Sequence, residues 1–335
     1  MARRVRGQRV GVLGKSNGPG RGDAPNQLAA EAADADAAIA KARRRTTSRR
    51  DFARHSRFEQ ISPDVGELDE DAVRDALRDD ADSTLALLAD MATATDQRLR
   101  ERARELAARL FLDLVRSGPP IQRGIGKIVA QPFRPDGGDL DIDGSFDAIV
   151  EAVAGHVALD VERLRIRSWS TPDTALCLVV DRSGSMGGQP LATAAIAAAA
   201  IALRNPSSYS VIAFGSDVVA IKSEGADKDT ERVVTDVLSL RGHGATDLAR
   251  ALRAAGGQLA RSRATNRVAV LLSDCRATVD GDAHAAAAAL PALVVVAPEQ
   301  DCIEALTFAD AAAARFATVS GPSQVAHALA TVLGR

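Results

Sequence analysis

The stretch Leu178-Val179-Val180-Asp181-Arg182-Ser183-Gly184-Ser185-Met186 joins an apolar run to a short polar loop. A continuous apolar run is typical of a strand that is buried on both faces, as in a parallel sheet. The loop then presents one carboxylate and two hydroxyls at alternate positions, Asp181, Ser183 and Ser185. Small oxygen donors suit a hard cation such as Mg²⁺. The stretch therefore predicts a buried strand that leads into a metal-binding loop.

Two further oxygen donors occur downstream in similar contexts. Thr246 ends the turn Gly242-His243-Gly244-Ala245-Thr246, and Asp274 follows the apolar run 268–273. In open α/β sheets, ligands bind outside the carboxyl ends of the strands. We therefore predict one site for Mg²⁺, or Mn²⁺, whose ligands are Asp181, Ser183, Ser185, Thr246 and Asp274. Because only two carboxylates are available, the ion would keep residual positive charge, and we expect an Asp or Glu of a partner protein to complete its shell. Arg182, Gln189 and His243 are candidates for the rim of this site, although each is also typical of an ordinary exposed polar residue.

The periodicity of the surrounding sequence predicts an α/β fold. Apolar runs at 175–180, 209–214, 267–273 and 292–297 have the length of central parallel strands. We also expect an edge strand at 218–221 and a last inner strand at 316–319, with helices at 191–203, 229–240, 247–262 and 322–333. Strands that alternate with helices predict a doubly wound, mainly parallel, Rossmann-like sheet with right-handed crossovers.

The pattern Asp181-x-Ser183-x-Ser185, followed by Thr246 and Asp274, resembles the metal-ion-dependent adhesion site (MIDAS) of von Willebrand factor type A (VWA) domains. The resemblance implies a protein interaction module. A helical N-terminal region and the segment Phe133-Arg134-Pro135-Asp136-Gly137-Gly138-Asp139-Leu140-Asp141 are similar to bacterial VWA proteins that partner MoxR-type AAA+ ATPases, including CoxE-like and magnesium-chelatase D-like proteins. That similarity implies an adaptor between such an ATPase and a client.

Four segments are expected along the chain. Residues 1–58 form a basic, partly disordered arm with at most one helix near 27–45. Residues 59–118 form a helical region, in which Ser62-Pro63 is the start signal. Residues 119–170 form a linker that is irregular over 121–144 and continues into a helix at 145–158, and residues 171–335 form the VWA domain. The acidic stretch 64–90 suggests, by charge alone, that the helical region docks on the metal site of the same chain.

Composition excludes several other classes of protein. The net charge of −2 gives no reason to expect a nucleic acid partner, and the three cysteines lack the spacing of a disulfide framework or a zinc site. Gly14-Lys15-Ser16 is not a phosphate-binding loop, because Arg9 stands where that loop requires glycine. No apolar run reaches the about 20 residues of a membrane span, and no signal peptide core follows the N-terminus, so we expect a cytoplasmic protein.

Three other functions remain open from the residues. A magnesium-chelatase-like metal insertion subunit would use the same VWA domain, although the sequence has no AAA+ module of its own. A Mg²⁺-dependent phosphotransferase would use Asp181 as its nucleophile, with Arg182 and Arg276 nearby. A purely structural VWA domain would bind no metal. We expect a protein that is not an enzyme, because Ser183 and Ser185 suit metal ligation better than phosphate binding.

Overall fold

The structure is a computed structural model that describes residues 47–117, 127–133, 139–156, 158–170, 173–182, 187–242 and 244–334. The helix expected near 27–45, the ligands Ser183 and Ser185, and His243 lie outside the described residues.

The first described segment is helical, as predicted. It contains α1 (Arg49–Phe52), α2 (Phe58–Ile61), α3 (Glu70–Asp79), α4 (Ala81–Met91) and α5 (Gln97–Ser117). The predicted start at Ser62-Pro63 is wrong, because Ser62 follows the last residue of α2. Helix α3 begins later, where the Asp69 side chain accepts hydrogen bonds from the backbone N–H groups of Asp71 and Ala72.

A small antiparallel sheet includes residues 127–132 and 139–140, which were expected to belong to an irregular linker. Its strands are β1 (Lys127–Pro132), β2 (Asp139–Leu140) and β3 (Arg165–Ser170), in the order β1-β3-β2. Helix α6 (Ile142–Gly155) connects β2 to β3 and starts three residues before the predicted helix at 145, because Asp141 caps it. This sheet and α6 are called the small lobe below.

The predicted doubly wound sheet is confirmed. It contains β4 (Thr174–Asp181), β5 (Tyr209–Phe214), β6 (Val218–Lys222), β7 (Asn266–Leu272), β8 (Leu293–Pro298) and β9 (Arg315–Val319). The strand order is β6-β5-β4-β7-β8-β9, and every pair is parallel except β5 with β6. Strand β9 was expected to be an inner strand, but it lies at one edge of the sheet as the structure describes it.

Helices cover both faces of this sheet. They are α7 (Gly188–Arg204), α8 (Thr230–Leu238), α9 (Leu248–Ala260), α10 (Ala283–Ala288), α11 (Ile303–Ala311) and α12 (Val325–Gly334), and a 3-10 turn (Pro322–Gln324) precedes the last. Alternate side chains of β4 enter different cores, because successive residues of a strand point to opposite faces. Leu178 packs with α7 and α8, whereas Val179 packs with α9 and α11.

The N-terminal helices share a core with the sheet. Helix α7 is buried all round from Leu191 to Ala202. Its inner side covers the sheet, and α4 and α5 pack on its outer side. Leu85, Leu88 and Met91 of α4 therefore belong to the same hydrophobic cluster as the strands. The many alanines of α7 allow close packing on both sides, because they add little bulk.

Candidate metal centre

Asp181 and Asp274 lie at the carboxyl ends of neighbouring strands. In the parallel pairing of β4 with β7, Val180 is opposite Leu272, so Asp181 comes beside Ser273 and Asp274 follows directly. The Ser273 hydroxyl donates a hydrogen bond of 2.6 Å to Oδ2 of Asp181. The backbone N–H of Cys275 donates to that hydroxyl over 2.9 Å, which directs the Ser273 proton towards Asp181. Sequence reasoning missed Ser273, although it directly precedes Asp274.

The environment of Asp274 disfavours an uncompensated negative charge. Partial burial raises the pKa of its carboxyl group, and the charges of Asp181 and Asp301 raise it further. A hydrogen bond of 3.0 Å from the backbone N–H of Arg276 acts in the opposite direction. Two carboxylates at the same edge repel each other, and a bound cation would relieve that repulsion.

The backbone of Thr246 is tied to the same edge of the sheet. Its N–H donates to Oγ1 of Thr278 over 2.7 Å, and its carbonyl oxygen accepts from the N–H groups of Thr278 and Val279. The next residue, Asp247, donates its N–H to the carbonyl of Gly215, just after β5, and its side chain caps α9. Thr246 is thus held between the ends of β5 and β7, with 2% of its surface exposed.

The structure brings Asp181, Thr246 and Asp274 to one edge, while Ser183 and Ser185 are outside the described residues. Their loop is anchored on both sides. On one side, Arg182 donates its N–H to the carbonyl of Phe214 and pairs its guanidinium with Asp217. The expectation that Arg182 is an exposed residue at the rim of the site is therefore wrong, since it is 4% exposed.

On the other side of the loop, α4 contacts the start of α7. Oδ1 of Asp90 accepts a hydrogen bond of 2.5 Å from the backbone N–H of Gly188. A Cβ atom at Gly187 would lie 3.1 Å from the same oxygen, so glycine permits the close approach. Burial raises the pKa of Asp90, and the Gly188 hydrogen bond partly opposes this rise.

A second aspartate of α4 caps the last helical segment. Oδ1 of Asp82 accepts from the N–H of Ser323 over 2.8 Å, next to Gly321. Asp82 and Asp90 are eight residues apart, so they lie on one side of α4. The sequence suggested that the acidic stretch 64–90 docks on the metal site. In the structure, these two carboxylates of the stretch bind helix N-termini on either side of the cavity beside that site.

That cavity has a volume of about 420 Å³. It lies between the start of α7 and the ends of β4, β7, β8 and β9, and both Asp181 and Asp274 line it. Gln189, which was expected near the rim, lines it too, as does Glu299. Among the residues that the structure describes, the lining contains carboxylates but no Lys or Arg side chain. The cavity therefore favours a cation.

The donor set fits a hard divalent ion. Across the described ranges, no three His, Cys, Asp or Glu side chains converge, so a site made of carboxylates alone is absent there. The predicted mixture of two carboxylates with hydroxyl oxygens would suit Mg²⁺ or Mn²⁺ better than zinc. Burial raises the pKa of the Cys275 thiol to about 12, and this thiol is free and buried.

Residues 176–277 match the family model of the von Willebrand factor type A domain, and all five predicted ligands lie in that range. The chain therefore contains a VWA domain, which is generally a metal-dependent protein interaction module. VWA domains often bind a divalent metal ion. No curated protein matches the sequence. In the part of the chain that the structure describes, no helix is long and apolar enough to cross a membrane.

Several solved structures are similar in fold. A von Willebrand factor type A protein from Catenulispora acidiphila is 18% identical, with a TM-score of 0.40, over 50% of this chain and 43% of that one. Manganese-loaded TRAP protein from Plasmodium vivax is 17% identical, with a TM-score of 0.41, over 49% and 74%. An aerotolerance-related membrane protein from Bacteroides fragilis is 15% identical, with a TM-score of 0.39, over 48% and 98%. This chain thus spans less than half of the Catenulispora protein. At these TM-scores, none of the three structures indicates which partners this chain binds.

Proposed function

We propose that this protein is an adaptor that couples a MoxR-type AAA+ ATPase to a client through a Mg²⁺-bridged acidic side chain. The main support is the position of Asp181 and Asp274 at adjacent strand ends of a VWA domain, beside a cavity without basic side chains. In this proposal Asp181, Thr246 and Asp274, together with Ser183 and Ser185, hold Mg²⁺ or Mn²⁺. When bound, the ion supplies a positively charged coordination position for a carboxylate.

The residues around the ligands keep this edge ordered. Ser273 orients the carboxylate of Asp181, and the backbone N–H of Arg276 orients that of Asp274. The bonds between Thr246 and Thr278 join the two loops that would meet at the ion. Such preorganisation favours binding, because less freedom is lost when the ion and the partner arrive.

Hydrogen bonds and ion pairs support an adaptor over a phosphotransferase. A phosphotransferase with Asp181 as nucleophile would need a nearby cation for the phosphoryl group. Arg182 is buried in its ion pair with Asp217. The guanidinium of Arg276 pairs with Asp301 and Glu304. Both arginines near the nucleophile are therefore engaged with other carboxylates.

Metal binding and partner binding can be tested together. We would immobilise the full chain and add the purified MoxR-type ATPase with Mg²⁺ or with EDTA, comparing wild type with Asp181→Ala. The matched control is Asp280→Ala, an exposed aspartate in the loop that follows β7. We expect wild type and Asp280→Ala to retain the ATPase with Mg²⁺ only, and Asp181→Ala to lose it.

Two results would contradict the proposal. Retention of the ATPase in EDTA would show that binding does not depend on the metal site. Phosphate release from a generic phosphoester, lost in Asp181→Asn, would show that the protein is an enzyme. Calorimetric titration with Mg²⁺ and Mn²⁺ separates a failure to bind metal from a failure to bind the partner.

A further inference from the structure

Helix α6 of the small lobe presents its large apolar residues to solvent. Ile142, Phe146, Val150 and Val153 are 64%, 59%, 45% and 69% exposed. Their spacing places them on one side of the helix, and we call them the α6 stripe. The opposite side is buried and carries small residues. Ala148 is 7% exposed, and the hydroxyl of Ser145 accepts a hydrogen bond from the N–H of Arg165 in β3.

The stripe lies in a stretch of the chain that is rich in exposed apolar residues. Among the described residues, eleven large hydrophobic side chains are exposed, and seven of them lie between positions 140 and 161. Leu159 and Val161, just after α6, are 41% and 51% exposed. Scattered exposed apolar residues are normal, but a contiguous patch marks an interaction site.

The small lobe joins the sheet at the end that is remote from the metal centre. Strand β3 leads through residues 171–173 into the first residue of β4, whereas Asp181 is the last residue of β4. The length of β4 separates the first residue of β4 from Asp181 by about 23 Å at about 3.3 Å per residue. The point where the small lobe joins the sheet is therefore distant from the metal centre.

Charge indicates what binds to the stripe. Residues 139–163 contain seven Asp and Glu and one Arg, a net charge of −6. Asp143, Asp147 and Glu151 recur every four residues and are exposed along one flank of the stripe. Arg167 pairs with Asp143 and Arg163 pairs with Glu151, but both pairs are exposed and leave the flank with a net negative charge. A second copy of the chain would place the same acidic row opposite itself, and anionic lipid headgroups would be repelled. A helix with an apolar face and a row of Lys or Arg complements both features.

We propose that the α6 stripe is a docking surface for a basic amphipathic helix of a partner protein. This contact is independent of the metal centre and goes beyond the function proposed above. It would give the chain a second contact surface at the opposite end of its sheet. The apolar residues would supply most of the affinity, and the acidic flank would select the sign of charge on the partner.

The test uses the full chain and two labelled amphipathic peptides of equal length, one of leucine and lysine and one of leucine and glutamate. Fluorescence anisotropy should show binding of the lysine peptide only, with or without EDTA. The double variant Phe146→Ser/Val150→Ser should weaken binding by at least about tenfold, because two large apolar contacts are lost. Ala154→Ser, exposed on the same helix but outside the stripe, should bind as wild type does.

Four results would overturn the proposal. The first is that the double variant binds the lysine peptide with the affinity of wild type while its circular dichroism spectrum is native, and the second is that both peptides bind equally. The third is that the chain co-sediments with neutral or phosphatidylglycerol vesicles but binds no peptide. The fourth is self-association of the chain that the double variant abolishes. Asp181→Ala should still bind the lysine peptide. Failure of the metal-dependent adaptor would then be distinguishable from failure of this surface.

Discussion

Replacing Gly321 with alanine should break the contact between α4 and the final helical segment. A Cβ atom there would lie 2.2 Å from Oδ2 and 2.4 Å from Cγ of Asp82. Gly321 has an extended backbone, with φ of −165°, so alanine causes no strain of its own. The carboxylate must therefore rotate away, and the N–H of Ser323 loses its acceptor at 2.8 Å. Loss of one capping hydrogen bond to a charged acceptor costs about 1–2 kcal/mol.

A double-mutant cycle with Asp82→Ala isolates this contact. Urea unfolding followed by circular dichroism gives the free energy of unfolding for each variant. In the Asp82→Ala background there is no carboxylate to displace, so Gly321→Ala should be neutral or stabilise by up to about 1 kcal/mol through the unfolded state. The expected coupling is about 1–2 kcal/mol or more. If Gly321→Ala lowers the free energy of unfolding equally in both backgrounds, its effect does not arise from loss of the hydrogen bond between Asp82 and Ser323.

Three further outcomes are expected. Without metal, Asp274→Asn should raise the melting temperature at pH 7. Folding raises the pKa of the Asp274 carboxyl group, so this group lowers the stability of the folded protein as pH rises above the unfolded pKa of about 3.9. The gain in melting temperature should vanish at lower pH, and Mg²⁺ should stabilise wild type more than this variant. Leu88→Ala, in the shared core, should cost about 2–5 kcal/mol and lower the midpoint of one common urea transition rather than create an early one. Cys275 should react with a thiol reagent at pH 8 only after unfolding, since burial raises its pKa to about 12; fast reaction of the native protein would contradict its burial.

The sheet and the edge that carries the site could be predicted because both depend on local patterns. Apolar runs such as 209–214 correspond to central strands, and Asp229 and Asp247 cap helices where the sequence indicated. Parallel strands necessarily bring their carboxyl ends to one edge, so Asp181 and Asp274 meet without any detailed knowledge of packing.

Other features depend on contacts between distant parts of the chain. The bond from Gly188 to Asp90 joins residues 98 apart, and that from Ser323 to Asp82 joins residues 241 apart. No local pattern distinguishes these aspartates from solvated ones. The small lobe was missed because β2 has only two residues and because the alternation of polar and apolar residues in β3, which is typical of a half-buried strand, was overlooked. Arg182 was judged exposed because its partner Asp217 follows a different strand.

The shared core bears on where the VWA domain can be separated from the rest of the chain. A truncation at residue 171 would keep the whole six-stranded sheet and every predicted ligand, yet it would uncover the outer side of α7, a helix that is buried all round from Leu191 to Ala202. Helices α4 and α5 cover that side of α7. We therefore expect the folding unit to include α4 and α5, and transfer of this VWA domain into another protein would have to include those helices.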